Sequence, residues 1–93
     1  MITNKDVGRR LRYIMAALDI ETQKEFGQRL GVAEQTVGGY LNGTAQLSLA
    51  TALLLHDVYG IDLHWIYRGK MDSICANGEL RDKILKEIAK DGF

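Results

Sequence analysis

Residues 22–43 constrain this chain more than any other stretch, because they set two short helices around a corner that glycine makes cheaply. Thr22 is placed to cap the first helix, and Glu25, three residues on, to reach back to the cap, the capping-box pattern. Phe26 and Leu30, four apart, then share a buried face. Gly31 ends that helix in the left-handed region, where a residue without Cβ is least strained. Val32 plugs the corner, and a second helix runs from about Ala33 to Asn42 before Gly43 stops it.

Turned at about 100° per residue, the second helix puts Ala33, Val37, Tyr40 and Leu41 on one side and Gln35, Gly38, Gly39 and Asn42 on the other. The first side reads as core. The second is small and polar, whereas a plain solvated face usually carries long charged side chains. Amides and bare glycines there imply that a partner approaches the backbone. An α-helix fits the DNA major groove, where amide side chains read base edges.

Gln23, Phe26, Gly27, Leu30, Gly31, Val32, Thr36, Val37, Asn42 and Gly43 together resemble the helix-turn-helix of the lambda-repressor-like family, close to the phage CI/Cro type. Residues 62–69 are similar to that family's closing helix, and the resemblance covers roughly residues 5 to 70. It implies an all-α fold, a compact five-helix DNA-binding domain over residues 1–70 that takes operator DNA as a dimer. Residues 71–93 are then a linker and an additional C-terminal helix.

The resemblance also assigns roles. Glu34, Gln35 and Gly39 match base-reading positions, and Gly38 a position close to the DNA backbone. Gln35 suits adenine N6/N7, Thr36 offers a methyl to thymine if it turns outward, and Glu34 accepts only from cytosine N4. Gln23, Asn42 and the loop residue Thr44 fall at backbone-contacting places. Two departures stand out. Many relatives bury an Arg near the end of the first helix against a Glu before the terminal Asn-Gly; here Leu41 holds the glutamate position, and Met15 and Ala16 stand where the arginine would be. Both partners are missing together, so no unpaired charge is buried. The recognition helix also lacks a cation of its own, since no Lys or Arg lies between Arg29 and Arg68.

Charge is the counterweight to this reading. Twelve basic and twelve acidic residues cancel to a net charge of zero, while nucleic-acid binders are usually basic. Distribution matters more than the sum. Before the central stretch, Thr3 or Asn4 caps a helix whose Val7, Leu11, Ile14 and Leu18 form a core stripe. Lys5, Arg9 and Arg12 line another face, with Arg10 beside them. Such a stripe is ordinarily a solvated face; next to this motif it reads as phosphate contact by Arg9, Arg10 and Arg12, which sets register without reading sequence.

Beyond Gly43, Thr44–Gln46 form a polar loop and Ser48 caps a helix apolar on nearly every side, expected to be the central buried helix. Asp62 caps the next, with Ile61 packing on Ile66 as a staple and Trp65 adding bulk. In the family this closing helix often lies at the dimer interface, which places Trp65 near a second chain. Asn77 caps a last helix of about 13 residues with Leu80, Ile84 and Ile88 on one stripe. A helix so short must pack on something, its own domain or a second copy; dimerisation is the reading favoured here, because the five-helix domain is already complete without it.

Enzyme chemistry has little support: His56–Asp57 and Asp62–His64 are neighbours at spacings that do not face each other on a helix. Metal-ligand spacing is absent, and no cofactor or small-molecule ligand is evident. One cysteine permits no internal disulfide, and there is no signal-peptide pattern or membrane-spanning apolar run, so a cytoplasmic protein is expected. The sequence therefore points to a dimeric, sequence-specific repressor on a pseudo-palindromic operator. The alternative is a helix-turn-helix domain adapted to protein binding, such as an anti-repressor or regulatory subunit.

Overall fold

Thr3, Thr22, Ser48, Asp62 and Asn77 each accept, through the side chain, the backbone N–H three residues on, and each begins a helix. Such caps satisfy an otherwise orphaned donor and stabilise a helix by about 1 kcal/mol apiece. The computed structural model of the chain describes residues 3–92. Its helices are α1 (Asn4–Ala17), α2 (Gln23–Leu30), α3 (Glu34–Asn42), α4 (Leu49–Tyr59), α5 (Leu63–Arg68) and α6 (Gly78–Lys90). Among the described residues there is no strand, only one antiparallel bridge between Ile61 and Cys75. None of the helices is long and apolar enough to cross a membrane.

The capping box forms fully at Thr3, where Asp6 reaches back to the cap. At Thr22 only half of it forms: the hydroxyl takes the Glu25 N–H, while the Glu25 carboxylate turns to Arg29 at 2.9 Å. Helix ends follow the glycines, with Gly31 at φ 71° and Gly43 at φ 77°. After α1 the chain turns without a glycine. Asp19 takes φ 57° while Ile20 N–H bonds back to Met15.

α1 is the hub, packing on α3, α5 and α6. Val7, Leu11 and Ile14 enter the core with Phe26, Leu30, Val37 and Leu41, and Leu18 packs against them. Gly8 brings α1 against the backbone of α3, where a Cβ would meet the carbonyl oxygens of Tyr40 and Leu41. Leu41 is itself buried, and Met15 packs on the same core.

Three expectations from the sequence are corrected. α4 is not a central buried helix: Thr51, Ala52 and Leu55 are buried, but Leu49 is 61 % and Leu53 41 % exposed. Apolar side chains all round gave no preferred face, and neighbours cover only one side. Ala33, expected on the core side, is the exposed cap of α3. The dimerisation role given to Trp65, Leu80, Ile84 and Ile88 lacks the exposed surface it requires. Trp65 is 1 % exposed and Ile84 0 %, because α6 folds back on α1 of the same chain. The Tyr13 hydroxyl donates to Asp91 at 2.9 Å across that contact. Asp62 N–H to Ile74 and Ala76 N–H to Gly60 tie in the preceding segment. The radius of gyration, 11.9 Å, agrees with the roughly 12 Å expected of one domain this long.

Candidate nucleic-acid interface

The corner between α2 and α3 depends on Gly27, where a Cβ would stand 2.7 Å from the Val32 carbonyl oxygen, and on left-handed Gly31. With Phe26, Leu30, Val37, Tyr40 and Leu41 buried beneath, the opposite side of α3 turns to solvent. Glu34, Gln35 and Asn42 are exposed there, and Thr36, Gly38 and Gly39 are half-buried. Glu34 sits in the first turn, where a carboxylate suits the helix dipole. It contributes negative charge to the very face that would meet a duplex.

The two glycines of α3 have partners within the chain. A Cβ at Gly38 would come 3.1 Å from Gln23 Oε1, so the Gln23 amide lies over this point of the helix. A Cβ at Gly39 would stand 3.0 Å from Ala45 Cβ, and the Gly39 carbonyl accepts the N–H groups of Thr44 and Ala45 and the Thr44 hydroxyl. The close approach that the sequence implied at Gly39 is made by the chain's own loop, which folds over the end of α3 and holds Thr44 beside it.

That loop is braced from behind by residues that the motif did not single out. The Tyr40 hydroxyl donates to Ser48, Ser48 to Thr51, and the Tyr67 hydroxyl to the Leu47 carbonyl. Their signal in the sequence was weak, since a tyrosine on an apolar face does not reveal where its hydroxyl ends. A polar hollow of about 580 Å³ borders the loop, with Asn4, Gln46 and Arg68 on its walls.

The basic residues of α1 divide. Arg12 Nη2 donates to Asn42 Oδ1 at 3.3 Å, which sets its cation at the C-terminal end of α3. Lys5 packs over Gly43, so close that its own Cα and Cγ fill the space a Cβ would need. Arg9 is exposed on the same strip of α1. Arg10 turns the other way: its Nη1 donates to the Ile66 carbonyl at 3.2 Å, and burial pushes its pKa below the ordinary arginine value. Arg10 is corrected from a phosphate contact to a tie between α1 and α5. At about 140° round the helix from Lys5, it belongs to the flank that α5 covers.

His56 Nδ1–H donates to the Ile61 carbonyl at 2.9 Å and helps close α4. The Cys75 thiol is buried, donates to the Tyr59 carbonyl, and has its pKa raised by burial. Neither group meets the α3 face in a described contact.

An exposed polar helix, seated on a glycine corner and flanked by α1 cations, is the geometry of a helix-turn-helix. Residues 22–66 match the helix-turn-helix family, a family of DNA-binding transcription regulators. No curated protein and no solved structure matches the chain.

Proposed function

We propose that the protein is a sequence-specific DNA-binding regulator that lays α3 in the major groove. The exposed Gln35 on a helix face edged by Arg12 and Lys5 carries this reading. Gln35 reads adenine through N6 and N7, Glu34 accepts from cytosine N4, and Thr36 meets a thymine methyl. Gly39, beneath the Thr44–Ala45 turn, keeps the end of the helix narrow enough to enter the groove. Arg9, Arg12, Gln23, Gly38, Asn42 and Thr44 address the phosphates on either side and set register.

We further propose that it acts as a homodimeric repressor on a pseudo-palindromic operator, with half-sites about 34 Å apart, and blocks polymerase sterically. Since Leu80, Ile84 and Ile88 are occupied within the chain, we place the second copy on the exposed Leu49 and Leu53 of α4, an apolar pair adjacent at i and i+4. Leu53→Glu is expected to leave a folded monomer in sedimentation equilibrium. A wild-type chain that stays monomeric at every concentration contradicts the dimer.

Selection from a randomised duplex pool tests the main reading. A retained motif with two-fold symmetry supports the dimeric regulator, a single half-site supports DNA binding by a monomer, and no enrichment contradicts DNA recognition. Glu34 and the absence of a cation within α3 favour one rival, a protein partner on the same face. Contacts through a Gly/Gln face would depend only weakly on salt, unlike those to DNA.

A further inference from the structure

α1, α5, α6 and the turn at Met71 border a half-open cavity of about 310 Å³, at the lower end of the roughly 300–1,000 Å³ that small-molecule sites occupy. Tyr13, Trp65, Met71 and Ile88 give it apolar and aromatic walls, and Asp6, Arg9 and Arg10 are its charged lining residues. No residue of α2, α3 or the 44–46 loop lines it. It is therefore separate from α3 and meets the proposed DNA face only at Arg9.

Arg10 gives the cavity its chemistry. Nη1 is held by the Ile66 carbonyl, and Nη2 occupies space that Gly69 leaves open, 2.5 Å from where a Cβ would be. Gly69 thus answers both to its φ of 73° and to the guanidinium. Among the described residues no carboxylate lies within 4.0 Å of Arg10. The nearby Asp6 carboxylate, which also lines the cavity, is turned to Thr3 and accepts from its N–H at 2.9 Å and its hydroxyl at 3.0 Å. Burial lowers the Arg10 pKa and Asp6 draws it back up, but an arginine side chain stays protonated throughout the working range.

A guanidinium offers five donors in a planar fork that matches a carboxylate, and here one of them meets a backbone carbonyl. A half-buried cation with no carboxylate within 4.0 Å among the described residues, set in an aromatic wall, selects an anion with a flat apolar body. We infer that this cavity binds a small aromatic carboxylate, with the acid group on the Arg10 fork and the ring among Tyr13, Trp65, Met71 and Ile88.

The probe is phenylacetate, titrated into the full chain without DNA, with phenylacetamide as the neutral control. Trp65 is the sole tryptophan, so its fluorescence reports the site directly, and amide shifts map it independently. Phenylacetate is expected to bind saturably, with shifts clustered at Arg10, Gly69 and Met71. Phenylacetamide should bind roughly tenfold more weakly, the difference between a charged and a neutral hydrogen-bonded acceptor. Met71→Glu, at an exposed position, should keep the circular dichroism spectrum and weaken the acid severalfold more than the amide, which loses only the apolar contact. Arg10→Lys should weaken the acid less than Arg10→Met. Equal affinity for acid and amide, scattered shifts, indifference to Met71→Glu, or no saturable binding would each overturn the assignment. Because no DNA is present, such a failure leaves the reading of α3 standing.

Discussion

Gly8 of α1 lies so near Tyr40 of α3 that a Cβ on it would stand 2.5 Å from the Tyr40 carbonyl oxygen and 2.7 Å from that of Leu41. Both obstacles are backbone, which cannot swing aside like the end of a long side chain. Alanine would gain about 1 kcal/mol of helix propensity, but forcing extra volume into a packed contact costs about 1 to 3 kcal/mol or more. Gly8→Ala is therefore expected to destabilise the fold by about 1 to 2 kcal/mol, read as a lower urea midpoint at unchanged slope. A midpoint that rises would mean that α1 is not seated on α3 this closely.

Arg10 and Arg12 are two residues apart in sequence and face different neighbours. Arg12→Ala should reduce the slope of log affinity against log salt by about 0.9, the share of one phosphate contact. Arg10→Ala should leave that slope unchanged and lower thermal stability instead. Equal losses of slope would place Arg10 back on the DNA.

Gln35 is exposed, so truncating it leaves the core intact. On the best selected duplex, Gln35→Ala should cost about 1 to 3 kcal/mol and relax preference at one base position in each half-site. Weaker binding with every preference unchanged would show that the docking is misassigned.

Asp19 holds φ 57° at the end of α1 without being glycine. An L-residue there loses roughly 1–2 kcal/mol, somewhat less for aspartate, while glycine's extra freedom when unfolded returns about 0.5–1 kcal/mol of that. Asp19→Gly should raise the melting temperature by a few degrees, provided the carboxylate makes no compensating contact. A fall in calorimetric melting temperature would reveal one.

Tyr13 links α1 to α6 through its hydroxyl. Burial first, then the bond to Asp91, raises its pKa above the ordinary tyrosine value. A raised folded-state pKa means stabilisation that is whole below the unfolded value, near pH 10, and lost as pH climbs through the folded one. Denaturation midpoints of the wild type should fall through this alkaline window more than those of Tyr13→Phe. Parallel curves would remove Tyr13 as the cause.

The legible parts of the fold were those where one residue type decides the local backbone. Thr22, Ser48, Asp62 and Asn77 mark helix starts by short-range hydrogen bonds, and Gly31 and Gly43 mark ends by φ alone. What a helix packs against is not local. The Leu80–Ile84–Ile88 stripe says that α6 is buried on one side, yet the same stripe serves a second chain or α1. In α4, Leu49, Leu53, Leu54 and Leu55 are equally apolar, and only the position of its neighbours chooses Leu55 for the core. At the α3 face, Gln35 and Asn42 lie exposed as their spacing implied, whereas the need for glycine at residue 39 traces to Ala45, six residues on, a contact that helical periodicity does not contain.

The most direct test is fluorescence anisotropy of the duplex enriched in selection, titrated with protein at a series of salt concentrations. If α3 enters the groove with Arg9, Arg12 and their neighbours on phosphates, log affinity falls linearly with log salt, with a slope of several units, and an unrelated duplex binds far more weakly. A nearly flat salt dependence, or equal affinity for both duplexes, would contradict sequence-specific DNA binding and assign the face to a protein.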